Sequence, residues 1–311
     1  MFSFFRKKLQ NTGPDTWRSA FAGVETRVPL IGGESRVAVN FDNAATTPPF
    51  IEVVDTVHRF MDWYSSIHRG TGYKSQLSTE VYEHSRGITE RFCGADPRYH
   101  TAIFCSNCTH GINILARRLN LPPGRRVLTT YMEHHSNLLP WTAVNGEVEH
   151  ADVSKNDGSL DLETLEAKLK VGNVGLVAVT GASNVTGVLN PLGVIARLAH
   201  AHGALLMVDA AQLVAHRAID MKSPGDPEAI DFLTFSAHKI YAPFGSGVLI
   251  ARRDLWNNDG PPVFPGGGTV RMVTHQEVLW ADLPEVEEGG TPNVVGALAL
   301  AKSLSIKLPD G

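Results

Sequence analysis

Two residues of opposite charge stand at the ends of strongly apolar runs: Asp209 closes LLMVD, and Lys239 follows DFLTFSAH. A carboxylate at the end of a buried strand is costly without a partner, and a loop lysine is ordinarily solvated. Taken singly, Asp209 reads as a cap for the next helix and Lys239 as a surface side chain. Together they match one chemistry. A primary amine condenses with an aldehyde cofactor, and a carboxylate keeps that cofactor's pyridine nitrogen protonated, as pyridoxal 5'-phosphate requires. The Ser-Ala-His before Lys239 and the Phe-Gly-Ser-Gly that follows argue against a merely solvated amine.

Such a cofactor also carries a phosphate. Ser236 and His238 flank the lysine and are candidate donors. SNCTHGIN (106–113) opens a predicted helix whose first backbone N–H groups favour an anion, and Thr109 adds a hydroxyl there. His134, in EHHSN, suits stacking on a flat ring or proton transfer. Asn184 and Gln212 each suit a phenolic oxygen. Every one of these has an ordinary alternative: a helix cap, a loop histidine, a satisfied turn amide. His134 and His135 are adjacent, with no further ligand at zinc spacing, so no metal site is expected. The sequence has no GxxxxGK[ST], and Gly245-Ser-Gly247 lacks the third glycine and the setting of a dinucleotide loop.

The elements that would position these residues are short apolar strands at 101–106, 126–131, 174–181, 204–211, 231–237 and 247–253, separated by helical patterns. Continuous apolar strands of this kind predict an α/β fold, a largely parallel sheet flanked by helices. Thr109, His134, Asn184, Asp209, Ser236, His238 and Lys239 all fall where the carboxyl ends of predicted strands meet the following loops, where such sheets gather ligands. Residues 1–38 read as an N-terminal arm, 39–293 as a cofactor-binding large domain, and 294–311 as the start of a helix leading onward. With 311 residues, 43% hydrophobic and 19% charged, the chain has material for a sizeable core. Its formal charge of −4 provides no basic footprint for nucleic acid. No apolar stretch approaches the roughly 20 residues that span a bilayer, and MFSFFRKKLQ reverses the order of a signal peptide. Cys93, Cys105 and Cys108 do not form a disulfide framework, so a reducing, cytoplasmic setting is expected.

The stretches FDNAATTPP (41–49), IHRGTGY (67–73), EVYEHSR (80–86), YMEHHSNLLPW (131–141), GASNVTG (181–187), VDAAQ (208–212), FSAHKIYAPFGSGVL (235–249), PGGGTV (265–270) and EEGGTPN (287–293) occur together and in order. In this the chain resembles the class V aminotransferases of pyridoxal-phosphate fold type I, and among them the cysteine desulfurases and selenocysteine lyases. EHHSN with SAHK is fairly specific to that branch; DNAATT and GTPN are broader. The resemblance implies an enzyme that removes sulfur from L-cysteine, giving L-alanine and a persulfide. It implies that Lys239 forms the Schiff base, Asp209 faces the pyridinium and His134 stacks on the ring. Asn184 and Gln212 would face the phenolic oxygen. Thr109, Ser236 and His238 would hold the phosphate, with Cys108 beside them. Thr291 would reach the phosphate of the other subunit in a homodimer, and a sulfur-acceptor protein is a further implied partner.

Family members continue into a small C-terminal domain that supplies a substrate-gripping arginine and, in desulfurases, a loop cysteine. The chain therefore reads as a fragment lacking that domain, or as a short form with impaired substrate handling. Cys108 stands where threonine is usual. A helix-start position can lower a thiol's pKa, but at the phosphate end Cys108 is not expected to accept sulfur. Cys93 and Cys105 read as small buried packing residues. Transamination, epimerisation or another lyase step on the same scaffold remains open, as does a catalytically silent homologue that binds a partner.

Overall fold

The computed structural model describes residues 2–5, 17–119, 121–145, 147–256 and 260–307. Residues 6–16 of the expected arm and 308–311 of the last segment lie outside them. In chain order the elements are β1 (Arg27–Pro29), β2 (Ser35–Val37), α1 (Ile51–Met61), α2 (Tyr73–Phe92), β3 (His100–Cys105), α3 (Cys108–Arg118), β4 (Arg126–Thr130), α4 (Leu139–Asn145) and β5 (Val148–Ala151). There follow α5 (Leu162–Val171), β6 (Val174–Thr180), α6 (Leu192–Ala201), β7 (Leu205–Asp209), β8 (Phe232–Ser236), β9 (Gly247–Arg252), β10 (Val270–Val273), β11 (Val278–Trp280) and α7 (Val294–Lys307). The chain forms two compact units. One comprises Met1–Thr89, Ala237–Ser246 and Asn293–Gly311; the other comprises Glu90–Ser236 and Gly247–Pro292.

The second unit holds a seven-stranded sheet in the order β3-β9-β8-β7-β6-β4-β5. Neighbours from β5 to β8 run parallel, and β9 runs antiparallel to both β8 and β3. The expected α/β architecture with a largely parallel sheet is therefore present. All residues of β6 and β8 are buried, the pattern of strands covered on both faces. Ile112 and Leu115 of α3 join Ile103, Val127, Leu176, Met207, Phe232 and Leu249 from five parallel-running strands and β9 in one core. β3 and β8, both antiparallel to β9, end at the same edge of the sheet as β4, β6 and β7. Cys105 and Ser236 both pair with Gly247 there, while Thr180, Asp209 and Thr234 lie in register.

Some elements differ from expectation. EHHSNLLPW is broken into a 3-10 turn (His135–Asn137) followed by α4, and VEHA forms β5, which its polar residues concealed. In the first unit, β1 and β2 make an antiparallel hairpin within the expected arm. α1 buries Val53, Val57 and Phe60 and packs on α7. α7 is apolar almost all round, and its one interior cation, Lys302, meets Glu52 Oε1 of α1 at 2.6 Å. A buried lysine tolerates that position only with such a carboxylate.

Candidate active site

The carboxyl edge of the sheet is shaped first by what glycine permits. A Cβ on Gly247 would lie 2.5 Å from Asn107 Cα, so the turn from β3 into α3 crosses β9 in contact with its backbone. A Cβ on Gly111 would lie 2.8 Å from Thr234 Oγ1, so the first turn of α3 sits directly on β8. Asn107 caps α3 by accepting from His110 N at 2.9 Å. Cys108 N donates to Ser236 Oγ at 2.8 Å, and Gly111 N donates to Asn107 O at 3.1 Å. Of the end N–H groups of α3, those of Cys108 and His110 are thus engaged by side chains, while the Gly111 bond is the ordinary first bond within the helix. The expectation of open N–H groups is narrowed at those two positions. What the turn offers instead is side-chain hydroxyls: Ser236 accepts from Cys108 N and keeps its hydrogen to donate, and Thr109 is exposed on the first turn.

Asp209 lies at the centre of this edge and is 3% exposed. Its Oδ1 accepts from Ala211 N at 2.9 Å and from Cys108 Sγ at 3.3 Å. The local bond is a turn closure and not the helix cap that a strand-end aspartate suggests, because only a 3-10 turn (Leu213–Ala215) follows. Cys108 is 4% exposed. Burial, then the Asp209 charge, pushes its thiol well above the ordinary value, so the lowering expected of a helix-start cysteine does not occur. Burial likewise pushes Cys105 up to about 12 and Cys93 higher. All three cysteines are neutral thiols in the interior.

His134 follows β4 and is exposed. Its Nδ1 accepts from Ser136 N at 3.1 Å and lies 2.9 Å from Ser136 Oγ, which is in turn 2.7 Å from Thr109 Oγ1. His134 and the Thr109 hydroxyl are therefore joined through one serine. Sequence reasoning missed Ser136, and it missed Glu133. Glu133 Oε1 accepts from Thr130 Oγ1 at 2.7 Å and Thr180 N at 2.9 Å, and Oε2 from Asn137 Nδ2 at 2.7 Å. Asn137 is itself held by Trp141 Nε1 at 3.0 Å. Burial outweighs these bonds and, with the Asp209 charge, pushes the Glu133 carboxyl up to about 7. An acidic residue directly after a strand was the available signal.

Asn184 is exposed in the turn that Gly187 N closes onto Ser183 O, just after β6. Gln212 is half-buried after β7, and Thr291 is exposed beyond the EEGG loop. A cavity of about 480 Å³ opens beside Thr109, walled by Ser106, His110, Arg117 and Phe264.

Lys239 and His238 belong to the first unit, in a 3-10 turn (Ala237–Lys239). Both are half-buried. The DNAATT motif grips this turn. His238 O accepts from Thr47 N and Thr47 Oγ1, each at 3.0 Å, and from Thr46 Oγ1 at 3.2 Å, while Tyr241 N donates to Thr47 Oγ1 at 2.8 Å. Tyr241 and Phe244 take left-handed φ values of 64° and 87°, a conformation non-glycine residues adopt only when held. Ser303 Oγ on Ile240 O and Asn293 Nδ2 on Phe244 O at 2.7 Å do the holding. Burial, then the neighbouring Lys239 charge, lowers His238 below the ordinary imidazole value.

These groups are of the kinds pyridoxal phosphate needs. Asp209 is a buried carboxylate whose Oδ1 accepts from the Ala211 N–H and the Cys108 thiol, a group of the kind a cationic ring nitrogen needs. Hydroxyls at Thr109 and Ser236 suit a phosphate, and Lys239 provides the amine.

The aminotransferase class-V family profile matches residues 39–307. A cysteine desulfurase of Haloferax volcanii is 34% identical over 274 residues, covering 86% of this chain and 63% of the relative. A probable cysteine desulfurase of Halalkalibacterium halodurans is 35% identical over 274 residues, with coverage of 86% and 66%. The chain thus spans just under two thirds of the length of these curated relatives. Among solved structures, the apo cysteine desulfurase of Thermococcus onnurineus superposes with a TM-score of 0.81 at 30% identity, covering 96% of this chain and 71% of that one. The cysteine desulfurase CsdA of Escherichia coli gives 0.77 at 28% identity, covering 95% and 71%. The sheet, its ordered motifs and these similarities lead to one conclusion: the chain belongs to the aminotransferase class-V family of pyridoxal-phosphate-dependent enzymes.

Proposed function

We propose that the protein is a pyridoxal-phosphate-dependent cysteine desulfurase, converting L-cysteine to L-alanine while sulfur passes to a thiolate as a persulfide. The observation that carries the reading is the buried Asp209 carboxylate at the end of β7, in a chain similar to cysteine desulfurases over most of its length. When bound, the cofactor supplies an aldehyde that captures amines and a ring that takes up electrons from the substrate α-carbon. Lys239 would hold the cofactor through its side-chain amine and would move protons at the substrate α-carbon. Asp209 keeps the ring nitrogen protonated, and Cys108 shares its thiol hydrogen with that carboxylate. His134 would lie against the ring and would exchange protons through its exposed edge. Asn184 and Gln212 hold the phenolic oxygen, and Thr109, Ser236 and His238 hold the phosphate.

We assign the thiolate that accepts sulfur to a group other than Cys93, Cys105 and Cys108, because all three are buried and their thiols are pushed up. The same reading makes residues 39–293 the cofactor-binding domain after an arm at 1–38, with 294–311 leading to a small C-terminal domain. It takes the working form to be a cytoplasmic homodimer in which Thr291 reaches the partner's phosphate, and an acceptor protein to receive the sulfur. The test is alanine release. Protein loaded with pyridoxal phosphate, given L-cysteine and excess dithiothreitol, is expected to yield alanine and sulfide in equal amounts. Cofactor uptake without alanine contradicts the assignment, and a ketoacid or an inverted amino acid would move it to another reaction of the family.

A further inference from the structure

The hydrogen bonds around His134 fix more than its place. A backbone N–H can only donate, so Nδ1, which receives Ser136 N at 3.1 Å, must present a lone pair. Ser136 Oγ, 2.9 Å from the same nitrogen, then donates its hydrogen there as well. That sets the direction of the next bond: Thr109 Oγ1 donates to Ser136 Oγ over 2.7 Å. The imidazole serves as the cap of its own 3-10 turn, and the turn is anchored on its other side by Glu133, through Thr130, Thr180 and Asn137.

We propose that Ser136 is the positioning residue of His134: it holds Nδ1 as an acceptor, fixes the neutral ring as the Nε2–H tautomer, and so presents a proton donor at the exposed nitrogen. The role in catalysis rests on the desulfurase reading; the tautomer does not. Because Ser136 is also bonded to Thr109, a phosphate that draws the Thr109 hydrogen away releases one of the bonds to Ser136 and leaves the Ser136 hydrogen on Nδ1. The tautomer is thereby insulated from occupancy of the phosphate side. Without the hydroxyl, Nδ1 keeps only the peptide N–H, and the ring is freer to turn.

Two measurements decide this. In cofactor-free protein labelled with 15N-histidine, long-range proton–nitrogen spectra report the tautomer directly, with the His134 signals identified by their loss in His134→Gln. The Nε2–H pattern is expected, unchanged on addition of inorganic phosphate; an Nδ1–H pattern overturns the proposal. In cofactor-loaded protein, Ser136→Ala is expected to lower kcat about tenfold, the scale of one lost orienting hydrogen bond, with KM little changed. Ser136→Thr, which keeps the hydroxyl, is expected to restore it. An Ala variant at the wild-type rate removes the positioning role. Failure of wild-type protein to bind pyridoxal phosphate would remove the desulfurase reading and leave the tautomer to be judged by the first measurement.

Discussion

Glu133 shows how a single buried carboxyl can tie a site to solvent pH. It bridges the ends of β4 and β6 and the turn carrying His134, and burial raises it to about 7 from an ordinary 4.5. Between those values the folded protein holds a proton that the unfolded chain has released. Stability contributed by protonated Glu133 is therefore complete below about pH 4.5 and is lost as pH rises to about 7. Glu133→Gln, which cannot ionise, is expected to gain stability relative to wild type across that window. Denaturant midpoints at pH 5 and pH 8 measure it, and an equal difference at both contradicts the shift. Asp209, Lys239 and His134 are legible from sequence because each is a polar residue placed where an apolar strand stops. Glu133 offered only its position after a strand, and Ser136 nothing, because the contacts that give them meaning include a peptide N–H of β6 and a hydroxyl of α3, which lie far away in the sequence.

At the scale of elements, the strands were readable wherever they are buried on both faces: β6, β7, β8 and β9 are near-continuous apolar runs. β5 was not, since as an edge strand it carries Glu149, which bonds Arg126 and Lys168 at 2.8 Å each. The antiparallel return of β9 was also hidden; it depends on the turn through Ala237–Ser246, not on strand composition. Gly247 was read only as part of a weak glycine loop. Its structural meaning is the crossing of Asn107, which sets where Cys108 and Thr109 begin α3. Gly247→Ala places a methyl 2.5 Å from Asn107 Cα. Displacing that turn is expected to cost about 1–3 kcal/mol, the usual range for overpacking, with weaker uptake of pyridoxal phosphate. Urea unfolding and a cofactor titration report the two effects, and a variant matching wild type in both shows that the crossing does not set the site.

As a whole, the chain comprises two compact units. The sheet unit carries Asp209, Cys108 and Ser236 in one set of hydrogen bonds and Thr109, Ser136 and His134 in another; the other unit carries Lys239 in a turn clamped by Thr46, Thr47, Asn293 and Ser303. No helix among the described residues is long and apolar enough to cross a membrane, and no cluster of metal-ligating side chains is found among them. The proposed chemistry calls on the amine at 239 and the carboxylate at 209 to serve one cofactor. Its most direct test is the visible absorption spectrum of purified protein mixed with pyridoxal phosphate and then desalted. A retained imine band, discharged by borohydride and missing from Lys239→Ala, is the predicted result. A band that survives in Lys239→Ala, or wild-type protein that keeps no cofactor, would contradict it.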